Sequence, residues 1–253
     1  MDEEQLMNDY QKNFEKLFLI NTTPTETNPT LVRLANGIDT FEETNNETKE
    51  TKMYYNNEGY GTTISTNKSM TWTASGDRII GDPAQDFIAG LYYKLGGELE
   101  TTYESYDSEG NKIAGNCSVT DIIKFGGGAG EISPFGATIN GNGKPTITYA
   151  TAAVDFATPT AFAAGVTTGT TKATITKAAS PSIEADLTLY YTLGAAAVTK
   201  NTHQYVDTNT LTAYTSGAEI AATVDQYLTI YGVDEYKRVQ RFISHKVLLA
   251  EIA

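Results

Sequence analysis

The sequence predicts a mainly β protein with one flanking α-helix, ending in a β-sandwich of immunoglobulin-like size. Three observations point there. The chain of 253 residues carries 39 Thr and 16 Tyr, residue types that suit pleated, half-exposed strands better than helices. One run, Ser75 to Leu91, holds strong helix signals inside a sequence that otherwise alternates like strands. After about residue 150, short apolar runs recur at regular spacing between Thr, Gly and Ser turns.

Residues 3–19 place Leu6, Tyr10, Phe14, Leu17 and Phe18 near one helical face, with acidic residues at the favourable end. This predicts an N-terminal helix, either packed on its own domain or acting as an arm that docks on a neighbouring subunit. Residues 21–30, rich in Thr, Asn and Pro, read as a linker. A short strand is expected at Leu31, a turn at Asn36-Gly37 and a second strand from Ile38 to Phe41. Glu42 to Gly61 is long and polar, with Met53, Tyr54, Tyr55 and Tyr60 as its contact residues, and is expected to be an interaction loop. Lys68 to Ala74 reads as a strand with Met70 and Trp72 on one face.

The helix follows. Asp82 can accept from the free amides of the first turn, and Pro83 suits the first helical position, where no amide donor is needed. Phe87, Ile88, Leu91, Tyr92 and Leu95 then form an apolar face, with Gly96-Gly97 as the stop. In the strand expected over Glu98 to Tyr106, Glu98, Glu100 and Glu104 share an acidic face opposite Leu99, Thr101 and Tyr103. Asp107 to Asn111 is a hairpin turn, Lys112 to Lys124 the returning strand with Ile113, Cys117, Val119 and Ile122, and Gly126 to Gly130 a loop. A low-charge segment near 148–159 marks a domain boundary. The expected division is an N-terminal helix and linker over 1–30, a first domain over 31–150 and a second over 151–253. In the last, strands are expected at 173–176, 187–192, 218–222, 226–233 and 238–249.

The formal charge of −13 is uneven: residues 1–150 hold 11 basic and 22 acidic side chains, against 7 and 9 in residues 151–253. A binder of nucleic-acid phosphates needs the opposite sign, although an acidic wall lets DNA pass without sticking. Cys117 is alone, so no intrachain disulfide forms, and it reads as a small buried residue. The start of the chain lacks a signal-peptide pattern, and no apolar run is long enough to span a bilayer, so a soluble, leaderless protein is expected.

No catalytic, cofactor or metal site is expected. His203 and His245 have no partners at ligand spacing, and Gly126 to Gly130 lacks the spacing and helix start of a phosphate loop. Gly141-Asn142-Gly143-Lys144 runs into Pro145 where a nucleotide loop needs Ser or Thr, and Asp107-Ser108-Glu109-Gly110 has too few carboxylates for calcium. The acidic clusters read as solvated faces rather than a glycosidase pair.

The run Ser75 to Leu91, with its preceding strand and Asp-Pro start, resembles the central segment of the major tail tube proteins of long-tailed (siphovirus-type) bacteriophages. Asn142-Gly143-Lys144-Pro145-Thr146 is similar to the segment that closes the first domain in that family, where an extra immunoglobulin-like domain can follow. The resemblance covers about residues 31–150. It implies a tail-tube β-sandwich or barrel plus a C-terminal immunoglobulin-like decoration domain, and a structural virion role rather than an enzymatic one. Subunits would form homohexameric rings that stack into a tube conducting DNA during ejection, without specific binding to it. Tape measure and tail terminator proteins would be further partners, with assembly in the host cytoplasm and no membrane contact. On that reading, Met53, Tyr54, Tyr55 and Tyr60 make contacts between stacked rings, Glu98, Glu100 and Glu104 face the channel, and Phe87, Ile88, Leu91 and Leu95 brace the sheet. The alternative is a bacterial cell-surface or adhesin β-sandwich protein, which the Thr-rich composition also allows.

Overall fold

Among the described residues the first strand starts at Leu17. In the computed structural model, which describes residues 11–253, Leu17–Asn21 is β1, and all five of its residues are buried. The expected helix over residues 3–19 is therefore corrected at its C-terminal part. Leu17-Phe18-Leu19-Ile20 is a continuous apolar run buried on both faces, which a strand inside a sheet satisfies and an amphipathic helix does not. Phe14 stands in a 3₁₀ turn, Asn13–Glu15, and is exposed; Leu6 and Tyr10 lie outside the described residues.

The remaining strands of the first sheet are β2 (Leu31–Arg33), β3 (Ile38–Met53), β4 (Gly61–Asp77), β5 (Glu100–Tyr106), β6 (Lys112–Ile123) and β7 (Pro134–Thr148). They are ordered β2-β1-β5-β6-β7-β4-β3, and the sheet stays open rather than closing into a barrel. One compact unit comprises 17–105 and 113–147. Its core gathers Phe18 and Ile20 from β1, Trp72 and Ala74 from β4, Tyr103 from β5, Cys117 and Val119 from β6, and Phe135 and Ile139 from β7. The Trp72 ring lies 4.4 Å from Tyr103 and 5.4 Å from Phe18, centroid to centroid, so three strands meet through aromatic contact.

Strand β6 shows how one residue resets a register. Cys117 and Val119 point into the core, and strict alternation would send Asp121 there as well. Asp121 instead adopts φ 50° and stays exposed, which brings Ile122 to the core side.

The helix α1 (Pro83–Gly90) covers the sheet with Ala84, Ile88 and Leu91. Asp82 caps it, its side chain accepting from the Gln85 amide at 2.9 Å, and Pro83 opens it as expected. It ends a turn earlier than the sequence predicts. Leu91 N–H bonds to Ile88 O, and Lys94 N–H to Leu91 O, both three residues back, so the chain tightens after Gly90. That rotates the following side chains off the apolar stripe: Leu95, expected to brace the sheet, is 81% exposed, and Tyr92 is half-exposed. Phe87 packs at the core margin and Ile88 is fully buried. Gln85, a polar residue on the buried face, is also fully buried. Its Nε2 donates to the carbonyls of Asn36 (2.7 Å) and Asp77 (3.1 Å), and its Oε1 accepts from the Ile79 amide (2.7 Å).

The other unit comprises, of the described residues, 11–16, 106–112 and 148–253. Its strands are β8 (Ala161–Ala164), β9 (Thr170–Thr174), β10 (Thr188–Gly194), β11 (Thr212–Ala213), β12 (Glu219–Ala221), β13 (Tyr227–Val233) and β14 (Val239–Lys246). They form sheets ordered β11-β10-β13-β14 and β12-β9-β8. Ala173 and Ile220 from the smaller sheet share a core with Leu189, Leu228 and Ile230 from the larger, which makes a sandwich. Val239 and Phe242 belong to a second cluster with Tyr231 and Val233, so β13 is buried on both faces. The turn 107–111 belongs to this unit. Its Gly110, at φ 95°, lies so close to the 202–204 backbone that an added Cβ would stand 2.3 Å from Thr202 O.

Candidate assembly surfaces

The segment Glu42 to Gly61, expected to be a loop, is a two-stranded ribbon. β3 and β4 pair antiparallel from Ile38↔Gly76 out to Met53↔Gly61, whereas β7 accompanies β4 only from Asp77 to Thr71. The correction has a simple cause: Thr at 44, 48 and 51 pairs across to Thr71, Asn67 and Thr63, and Thr suits a strand even where both faces meet water. From Glu42 to Ser69 every residue is exposed. The part beyond Thr44↔Thr71 extends for about 30 Å. Cross-strand side chains hold it: Thr51 Oγ1 lies 3.0 Å from Thr63 Oγ1, and Thr66 Oγ1 donates to Thr48 O at 3.1 Å. Lys68 and Glu47 form an ion pair at 2.7 Å, and the Lys68 hydrogen bond holds the Glu47 carboxyl below its ordinary range.

The four predicted contact residues sit together at the far end. Met53 is 74% exposed, Tyr55 wholly so, and Tyr54 and Tyr60 are exposed beside them. A 3₁₀ turn, Tyr55–Asn57, followed by Glu58 at φ 51° and Gly59 at φ 84°, reverses the chain. A ribbon with two open edges and an aromatic apex cannot bury its own apolar groups, so Met53, Tyr54, Tyr55 and Tyr60 stay in solvent.

The three predicted acidic residues do not form one row. Glu100 and Glu104 share a face of β5, exposed and half-buried respectively. Glu98 lies before the strand, in the 3₁₀ turn Gly96–Leu99, where it pairs with Lys94 at 3.6 Å; this corrects its expected place in the strand. The glycines at 96 and 97, read as a helix stop, instead start that turn.

A polar ladder that sequence reading did not find crosses β3, β4, β7 and β6 on the side away from Trp72. Asn46 Nδ2 donates to Thr71 Oγ1 (3.0 Å), Asn140 Nδ2 to Thr120 Oγ1 (2.9 Å), and Asn142 Nδ2 to Ser118 Oγ (2.7 Å). Its members come from four separate runs, so no local pattern announces it. An aromatic group past the end of α1, Tyr92, Tyr93 and Phe125, is likewise without a local signal, because Phe125 comes from a distant run.

Cys117 is fully buried, and burial pushes its thiol up to about 12, which keeps it protonated and unreactive. His245 Nε2 lies 2.9 Å from Glu251 and its ring stacks on Phe162, while His203 Nδ1 lies 2.9 Å from Gln240 Nε2. Glu184, buried, accepts from Arg241 Nε (2.6 Å) and from the amides of Ala157 and Ala178. Among the described residues no group of three His, Cys, Asp or Glu is placed to hold a metal ion, and no helix is long and apolar enough to cross a membrane.

The family described as the S-layer protein SbsC C-terminal domain matches residues 163–248, the span of the sandwich. Among solved structures, a chain from the tail of an empty gene transfer agent (GTA) particle of C6 symmetry is 12% identical. It is covered entirely by 55% of this chain, at a TM-score of 0.46. The crystal structure of S-layer protein SbsC domains 7, 8 and 9 is 22% identical over 57% of this chain and 38% of that one, at a TM-score of 0.37. A chain from the activated phage P2 baseplate is 12% identical over 94% and 95%, at 0.33. The chain matches none of the curated proteins.

Proposed function

We propose that this protein is a structural subunit of a phage-type tail tube. In this reading subunits assemble into hexameric rings, and rings stack into a tube whose wall conducts DNA without holding it. The carrying observation is the β3–β4 ribbon: about 30 Å of paired strand with no packing of its own, ending in Met53, Tyr54, Tyr55 and Tyr60. A ribbon of this kind is stable and soluble in an assembly that covers it. The open sheet supports the same reading, since edges lent to a closed ring are no longer exposed. Residues 151–253 would be the decoration domain, and tape measure and terminator proteins would meet the two ends of the tube. Glu100 and Glu104, together with the Thr/Asn ladder, offer a channel wall without cations for phosphates to bind.

The test is negative-stain electron microscopy of the purified protein. Hollow rods of stacked rings are expected, and deletion of Thr48 to Glu58 should leave folded subunits that form none. Rods of normal length from the deletion variant would sink the assignment. The second reading, a cell-surface protein, is favoured by the match of residues 163–248 to the S-layer domain. It would give flat lattices or monomers in the same images.

A further inference from the structure

Past the end of α1, the chain exposes a second aromatic surface. Tyr92 and Tyr93 meet edge to face with centroids 4.9 Å apart, and Phe125 stands 6.2 Å from Tyr92. The Lys124 ammonium lies 4.3 Å from the Tyr93 centroid, 4.6 Å from Tyr92 and 6.0 Å from Phe125. Among the described residues it has no carboxylate partner. Tyr93 is 80% and Phe125 63% exposed, and Tyr92 lines an open groove of about 290 Å³ together with the buried Leu91 and Val119 and the exposed Asp121. Asp121 is engaged by the Thr120 hydroxyl at 3.1 Å, and Lys94 by Glu98. Lys124 is thus the cation of this surface without a carboxylate partner among the described residues, and Asp121, whose Thr120 contact is with a neutral hydroxyl, is the other charge left on its rim.

The ribbon tip is its counterpart. Between Tyr55 and Tyr60 the one charged residue is Glu58, exposed at the apex and without a cation partner among the described residues. We infer that the ribbon tip of one copy seats on the Tyr92, Tyr93 and Phe125 surface of the next, with Glu58 meeting Lys124. The two surfaces are different patches of one chain, so the contact is heterologous and propagates from copy to copy instead of closing a two-fold dimer. Aromatic residues at the centre and one charge pair fixing register are the composition expected of such a contact. This inference rests on the assembly reading above and names the receiving surface.

Two experiments on the full chain test it. Glu58→Lys and Lys124→Glu should each lower rod yield by about tenfold, and the double reversal should restore it; both positions are off the core, and a thermal melt of each variant checks folding. Cysteine cross-linking is independent of that result, because Cys117 is buried and gives no background. Mixing Asn56→Cys with Leu95→Cys under mild oxidation should give the mixed dimer in excess over either variant's own dimer. Rods from wild type that are indifferent to both reversals, or an Asn56→Cys dimer that dominates the mixture, would overturn the docking and leave the tube reading standing. Wild-type protein that forms no rods, together with Asn56→Cys and Leu95→Cys variants that give no mixed dimer, would overturn both.

Discussion

The hydroxyl of Tyr214 donates to the Ala173 carbonyl at 2.6 Å and accepts from the Ala173 amide at 3.1 Å, so one side chain satisfies both backbone groups of a fully buried residue. Tyr214 enters from the end of β11 and Ala173 lies in β9, so the pair ties the two sheets of the sandwich together. Tyr214→Phe leaves the amide without its acceptor and should cost about 1–3 kcal/mol, read as a lower urea midpoint. An unchanged midpoint would mean another group takes over the amide.

Gln85 works comparably in the first unit, binding the Asn36 and Asp77 carbonyls and the Ile79 amide from a fully buried position. Gln85→Leu keeps the size and helix propensity but strands those groups, and a loss of about 3 kcal/mol is expected. Amide exchange at Ile79 should rise with it.

Gly110 and Gly59 both have positive φ, yet they differ in surroundings. An added Cβ at Gly110 would stand 2.3 Å from Thr202 O, whereas nothing lies within 4 Å at Gly59. Gly59→Ala should cost about 1–2 kcal/mol from the dihedral alone, and Gly110→Ala clearly more, because backbone must move. Equal thermal shifts would contradict this.

Alkali should weaken the first core. Burial pushes the Cys117 thiol from 9.0 up to about 12, and burial, then the nearby Cys117 and Glu43, pushes Tyr103 from 10.0 up to about 12. Between those values the unfolded chain has lost protons that the folded one keeps, so stability falls as pH rises from 9 to 12. Cys117→Ala should flatten that slope in pH-dependent denaturation.

Acid acts on the sandwich through Glu184. Burial opposes its ionisation, but the Arg241 guanidinium and the amides of Ala178 and Ala157 outweigh it, holding the carboxyl below 4.5. The stability this provides is present above pH 4.5 and lost as pH falls through the lower folded value. Glu184→Gln should be less stable at pH 7 and less sensitive below 4.5.

The sequence by itself determined the mainly β class, the cap at Asp82-Pro83, the hairpin turn at Asp107 to Asn111, and most strands of the sandwich. Each is a local matter: alternation, capping and turn chemistry act over a few residues, and Met70 with Trp72 or Tyr103 with Thr101 could be assigned to an inner face from spacing alone. The aromatic tip was legible too, as Met53, Tyr54, Tyr55 and Tyr60 crowd a polar stretch. Tertiary structure decided the rest. It made Leu17 to Ile20 a strand inside the sheet, because only groups packed above and below a sheet can bury both faces of such a run, and it turned the polar stretch after Phe41 into a ribbon through pairing with residues up to 31 positions away. It also left Leu95 outside when α1 tightened, and brought Lys124 over Tyr92 and Tyr93. These outcomes depend on partners distant in sequence, and local periodicity carries no record of them.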